Sequence, residues 1–537
     1  MRLGVGVVCK LSVVLCVVQG RPTPVPRAHR DVTTTQGHAR GYLAPDPPHF
    51  AYFGLPYARP PTRRDRFKAP EPPPEWDGIF EATHKIKCTQ PNADGEENCL
   101  VVNVFVPHDA SSLPVLVFVH GGDFQNGWGA YQAPTTFLTD GYVIVTFNYR
   151  LGALGFLNLG IPEAPGNAGL KDHIAALYWV RKNIAEFGGN PADVTVYGTG
   201  AGAAAIQLVL MSGLVEGLLH RVILESGSAL SPSAMMFDPF VIAYNGAVSL
   251  GYEGTNNPDE LYNFYQQASA EDLASITEMF LPCIDHIPDY ELNLIDVDPI
   301  RKLKEGKFYN VPMLITFTHI DKTSIIGVDT EKFQHVPENF DDLLPNNLEF
   351  EEHKDKHGLG EIVKQFYFKE DFRGDVVQNY ADYMHDILTE YPIIKMAMLF
   401  AAKNKYSVYL MKFTLPREAS DGSEPTSFDA ILDYLYKEEE QSEDVLEKLM
   451  TLMKNFIQIG DPTPLTTTLI PVIWQPVPSN KQNYQISDVP LLQFDRTVRM
   501  RVPPSNQRLL FWDNIYSQFY KPHVIAHEQA EELDDND

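Results

Sequence analysis

The 537-residue sequence predicts an α/β protein with a large central, mostly parallel sheet flanked by helices in a single domain. Three observations predict it. Apolar, β-branched runs recur along the chain, helical patterns lie between them, and no internal repeat or linker divides the whole. Strand alternating with helix is the order that a right-handed parallel arrangement requires.

The elements follow in chain order. Residues 1–20 (MRLGVGVVCKLSVVLCVVQG) place a basic start before an apolar stretch and small residues, the pattern of a secretory signal, although Lys10 interrupts it. The apolar piece is too short to span a bilayer, and no later run reaches the roughly 18 apolar residues a span needs. A secreted, soluble chain without a transmembrane anchor is therefore expected. Residues 21–31 (RPTPVPRAHRD) read as a loose Pro- and Arg-rich arm. From Val32 come short strands and turns, then the Pro-rich segment FGLPYARPPTRRDRFKAPEPPPEW.

Leu100–Val106, Val115–Val119 and Tyr142–Phe147 are apolar and rich in β-branched residues, as suits strands covered on both faces. Gly169–Phe187 reads as a helix stopped by Gly188 and Gly189, and a strand at Val194–Tyr197 follows at once. Val222–Leu224 and Met313–Ile315 continue the strand series, and a helix-rich second half runs from about Pro337 to Ile459. The domain is expected to span 32–520, with 521–537 an acidic, solvated tail ending EELDDND.

Composition narrows the function. A net charge of −27 argues against nucleic acid or an anionic membrane as partner. Of five cysteines, Cys9 and Cys16 leave with the signal, and an oxidising compartment permits Cys88 and Cys99 to close a short polar loop. Cys283 is then either a buried thiol or an intermolecular partner. No N-x-S/T acceptor for N-glycosylation occurs.

The most informative stretch is VTVYGTGAGAAA, residues 194–205, a strand feeding a sharp turn into a helix. In α/β-hydrolases this turn is the nucleophile elbow G-x-S-x-G, which lifts a serine to the top of the sheet. Here it reads Gly198-Thr199-Gly200-Ala201-Gly202, with glycine in the serine's place. The neighbouring Thr199 hydroxyl points elsewhere on such a turn. Glycine enters the elbow's unfavourable backbone region without penalty, so Gly200 is expected to relax the turn.

FGLPYARPP, RFKAP, ENCLVVNVFVP, FVHGGDFQNG, FNYRLGALGFL, GNAGLKDHIAALYWVRKNIAEFGGNPADVTVYG, ESGSA, NFIQIGDPTP and LLFWDNIY follow one another in the order and spacing of the carboxylesterase/cholinesterase (type-B carboxylesterase) family. The resemblance covers about Val32 to Tyr516. It implies an α/β-hydrolase fold with a deep gorge and a Cys88–Cys99 bridge.

It also implies site positions. The acid position falls on Asp321, followed by Lys322 where the family usually has glycine. Ser226 matches a serine that supports the acid. The histidine position falls near Ser427 in EPTSFDAILDYLY, and no histidine lies between His385 and His523. Gly121, Gly122 and the N–H of Ala201 match the oxyanion donors, although turn geometry alone also demands such glycines.

His319 precedes Asp321 by two residues and is poorly placed to act as a substitute base. HEQAEE at His527 resembles a metal motif only superficially, so no metal or cofactor is expected. With nucleophile and base both gone, the resemblance implies a catalytically incomplete member acting by binding. Silent members of this family serve in adhesion or recognition, often through a membrane anchor that this chain lacks. An extracellular protein partner, or an apolar ester or lipid-like ligand in the gorge, would be bound. The alternative is a residual or altered ester hydrolase using a water activated by Asp321 or another group.

Overall fold

The computed structural model of the chain describes residues 28–520 apart from 61, 63–64, 92–94, 131–134, 286, 288–292, 320–335, 369–374, 415–430, 432–434, 436–442, 480–483, 496 and 502–505. Its strands are β1 (His29–Thr34), β2 (Gly37–Pro45), β3 (Pro48–Pro56), β4 (Ile79–Glu81), β5 (Val101–Pro107), β6 (Leu113–Val119), β7 (Val143–Phe147), β8 (Asn158–Ile161), β9 (Ala164–Pro165), β10 (Gly189–Thr199), β11 (Arg221–Glu225), β12 (Met313–Thr318), β13 (Val408–Phe413), β14 (Leu491–Phe494) and β15 (Val498–Arg501). β1 begins inside the stretch read as an arm, three residues before Val32, because His29–Thr34 pairs antiparallel with Gly37–Tyr42.

One large sheet runs in the order β1-β2-β3-β5-β7-β6-β10-β11-β12-β13-β14-β15, with β4 on β2. From β7 through β14 every pairing is parallel. The β1-β2-β3-β5-β7 edge and the β14-β15 edge are antiparallel.

The continuous apolar strands bury both faces, and their alternation divides the core in two. Val102, Val104, Val117, Val145, Val196, Val222 and Ile315 pack on one side with the helix Ala168–Asn183. Phe105, Leu116, Ile144, Tyr197, Ile223, Leu314 and Tyr409 pack on the other with the helix Glu443–Ile459. Residue side alternates because successive strand side chains point to opposite faces.

The helix read over Gly169–Phe187 is α-helical only to Asn183. Ile184–Phe187 tightens into a 3-10 turn that Gly188 ends in a left-handed conformation. The strand read as Val194–Tyr197 is longer, starting at Gly189. Cys88 and Cys99 form a disulfide, and Cys283 is a buried free thiol, which settles the alternative left open by the sequence. Among the described residues no helix is long and apolar enough to cross a membrane.

Candidate functional site

β10 runs into the helix Ala201–Met211 through Gly200, at the carboxyl end of the parallel strands. Two of the motif's three glycines are sterically required. A Cβ on Gly198 would lie 2.5 Å from Ile206 Cδ1, and one on Gly202 would strike the Val119 carbonyl. Gly200 differs: a Cβ there would meet no atom within 4 Å. Space for a side chain exists, and the sequence supplies none.

The backbone at Gly200 has φ 50° and ψ −119°, a region that costs other residues about 1–3 kcal/mol. Glycine adopts this conformation freely. A side chain at this position would have to bear that strain. The Gly200 N–H donates to the Glu225 carbonyl at 2.8 Å, and Gly227 lies so close to the Gly200 carbonyl that a side chain there would collide. Thr199 is 2% exposed, so its hydroxyl does not replace the missing one at the open side of the elbow.

Glu225 is fully buried beneath the elbow. It accepts the Tyr197 hydroxyl at 2.6 Å and the Ile431 N–H at 2.7 Å. Ser226 has φ 51°, its N–H donates to the Thr316 carbonyl at 2.8 Å, and its buried hydroxyl has no hydrogen-bond partner among the described residues. Asp321, Ser427 and His527 lie outside the described residues.

The turn after β6 packs onto the elbow. A Cβ on Gly121 would lie 2.9 Å from the Thr199 carbonyl oxygen. No acceptor is found among the described residues for the N–H groups of Gly121, Gly122 or Ala201. The turn is forced by three successive residues with positive φ: Gly122 at 100°, Asp123 at 52° and Phe124 at 59°. Phe124 is fully buried against Phe156, which anchors the turn, while Asp123 is exposed.

Behind this turn His120 stacks on Tyr149 at 4.3 Å between ring centroids, and Tyr149 meets His173 at the same distance. Burial pushes the His120 pKa down to about 4 and that of His173 down to about 3, so both rings are neutral.

A second polar group lies at the carboxyl ends of β12 and β13, just ahead of the segment that carries Asp321. His319 is half-buried, and its ring stands edge-on to His385 at 4.5 Å. His385 Nε2 is 3.0 Å from Glu390 across the π-helical turn Asp386–Glu390, and Lys412 donates to both Glu390 oxygens at 3.1 and 3.2 Å. Burial opposes ionisation of Glu390, but the His385 hydrogen bond and Lys412 hold its pKa well below the usual carboxylate range. Burial lowers the His319 pKa to about 4.

His385, Asp386 and Glu390 are near enough together to consider a metal ion. The donor chemistry argues against one. Lys412 neutralises Glu390, while Asp386 accepts the Tyr367 hydroxyl at 2.5 Å and pairs with Arg508 at 3.1 Å. Sequence reasoning missed His385, Glu390 and Lys412, which come together only through the fold.

The sheet and the elbow define an α/β-hydrolase. The model of the carboxylesterase family matches residues 28–512, and the chain belongs to that family. It is 32% identical over 399 residues to juvenile hormone esterase of Heliothis virescens, covering 68% of this chain and 70% of that protein. Identity to neuroligin-3 of Mus musculus is 32% over 424 residues, 66% of this chain but half of that longer protein. The crystal structure of juvenile hormone esterase from Manduca sexta, which carries OTFP covalently attached, superposes with a TM-score of 0.78 at 26% identity, covering 91% of this chain and 100% of that one.

Proposed function

We propose that this is a secreted, non-catalytic member of the carboxylesterase family that acts by binding. One observation carries the reading: the elbow, at φ 50° and ψ −119°, has open space at its central position, yet holds Gly200 there. Ester hydrolysis by this fold needs an attacking oxygen and an imidazole to take its proton. The first is absent at Gly200, and the sequence has no histidine between His385 and His523 to supply the second. His319 does not compensate, because its pKa near 4 leaves a weakly basic ring turned toward His385.

What remains is a binding surface. Gly121, Gly122 and Ala201 offer N–H donors in the oxyanion positions, and Ser226 takes the position of the serine that supports the acid. By the resemblance Asp321 keeps the acid position, and the region near Ser427 takes that of the lost base. The ligand is an extracellular protein partner or an apolar small molecule above the elbow. Residues 1–20 act as the secretory leader, the domain fills about 29–520 from the start of β1, and 521–537 is an acidic tail. N-terminal sequencing of protein recovered from culture medium tests the leader: a start near Arg21 is expected, and retention of Met1 contradicts it. Purified protein with a panel of short p-nitrophenyl esters tests the activity. No turnover above buffer is expected, and turnover that follows the polypeptide through purification contradicts the reading.

A further inference from the structure

The helix His353–Tyr367 opens with HKDKH, so His353 and His357 stand four residues apart, both exposed. At that spacing two side chains share one face of a helix, their Cβ atoms about 5–6 Å apart. Imidazoles so placed can each present a ring nitrogen to a single ion.

The His357 ring is oriented from behind. Its Nδ1 lies 3.2 Å from Asp341 Oδ1, at the start of the 3-10 turn Asp341–Leu343. A carboxylate only accepts, so Nδ1 carries the hydrogen, and in the neutral ring Nε2 keeps its lone pair. Helix and turn meet closely: a Cβ on Gly360 would lie 2.7 Å from Asp341 Oδ1, a space that glycine leaves open. Phe340, fully buried against Phe368 and Tyr383, fixes the turn, and Lys364 of the helix donates to the Glu338 carbonyl at 2.7 Å.

Asp341 is buried, and its Oδ2 has no hydrogen-bond partner among the described residues. A buried carboxylate short of donors draws positive charge onto the ring that covers it. Lys354 and Lys356 are engaged elsewhere, with Glu352 at 2.7 Å and with Asp342 at 4.0 Å.

We infer that His353 and His357 form a surface site for a late first-row divalent metal ion, zinc or copper(II), with Asp341 as the positioning residue behind His357. This goes beyond the binding reading and does not rest on it. The donors select the class: imidazole suits zinc and copper, whereas calcium and magnesium take oxygen ligands. A carboxylate on the far nitrogen of a ligating imidazole is the usual outer contact of such sites, fixing the ring and raising its basicity. Among the described residues no group of three ligand side chains includes the pair, so water completes the coordination and the site is weaker than a closed structural one. The positive end of the helix dipole opposes a cation here, and Asp341 with Asp355 of the first turn offsets it.

The test uses the whole chain, with Zn²⁺ followed by calorimetric titration, Mg²⁺ as the control and Cu²⁺ followed by electron paramagnetic resonance. Zinc binding should weaken about tenfold or more in His353→Gln and in His357→Gln, and stay unchanged in His108→Gln, which removes an exposed histidine elsewhere. Asp341→Asn should weaken it about 10–100-fold. Copper should show nitrogen couplings from two imidazoles, one lost in each site-histidine variant and both kept in Asp341→Asn. Thermal unfolding of each variant without metal separates lost ligands from lost fold.

No zinc binding by the native chain at about 1 mM overturns the inference, as does equal binding of Mg²⁺. So does a zinc affinity that survives in either folded histidine variant. Native affinity in Asp341→Asn overturns the positioning role.

Discussion

Gly227 stands against Gly200 so closely that a methyl group on it would collide with the Gly200 carbonyl, whereas a Cβ on Gly200 itself would meet nothing within 4 Å. The elbow is thus built from glycines of two kinds, one demanded by packing and one that occupies an open position. Gly200→Ser should lower stability by about 1–3 kcal/mol through backbone strain alone. Gly227→Ala should cost at least as much, because backbone must move. Denaturant unfolding of both variants checks this, and a neutral Gly200→Ser would mean the turn does not hold φ 50°.

Gly200→Ser is also expected to remain without esterase activity. The restored hydroxyl would have room, but no imidazole follows His385 until His523. Activity with p-nitrophenyl acetate in this variant would show that another base, such as His319, reaches the elbow.

Acid stability should depend on His120 and His173. Both pKa values fall from 6.5, to about 4 and about 3, because burial penalises the charged ring. Below pH 6.5 the unfolded chain binds protons that the folded chain refuses. Stability is therefore lost on acidification, across 6.5 to about 4 for His120 and 6.5 to about 3 for His173, by up to about 1.4 kcal/mol per pH unit for each. Urea unfolding at a series of pH values should show a shallower acid loss in His173→Phe than in the native chain. An unchanged slope would contradict the burial argument.

Lys412→Met should destabilise the protein by about 3 kcal/mol or more, since Glu390 would be left buried without its cation. Combining it with Glu390→Gln should recover much of that loss. A double-mutant cycle measures it, and simple additivity would show the pair to be uncoupled.

Cys283 should be inert. Burial raises its thiol pKa to about 12, and Asn158 Nδ2 donates to its sulfur at 3.1 Å. A thiol reagent such as DTNB should label it only after unfolding; rapid labelling of the native protein would contradict its burial.

The strands were legible where the residues alone decide. LVVNVFV and YVIVTF are apolar on both faces and became β5 and β7 almost to the residue. β10 reached further than its apolar run because GNPADV reads as a turn, while the register with Leu113 on β6 extends the pairing to Gly189. β13 through β15 were not singled out, being short, with β14 and β15 only four residues each. Within the site, the loss of the serine could be read directly from GTGAG. The grouping of His385, Glu390 and Lys412 depends on a π-turn meeting a strand, which no local pattern announces.

Steady-state hydrolysis of a p-nitrophenyl ester panel by the native secreted chain, with active-site titration by a covalent serine-directed phosphonate, tests the loss of catalysis most directly. No turnover above buffer and no stoichiometric labelling are expected. Turnover at rates typical of esterases, co-eluting with the polypeptide and abolished by a substitution in it, would contradict the central claim.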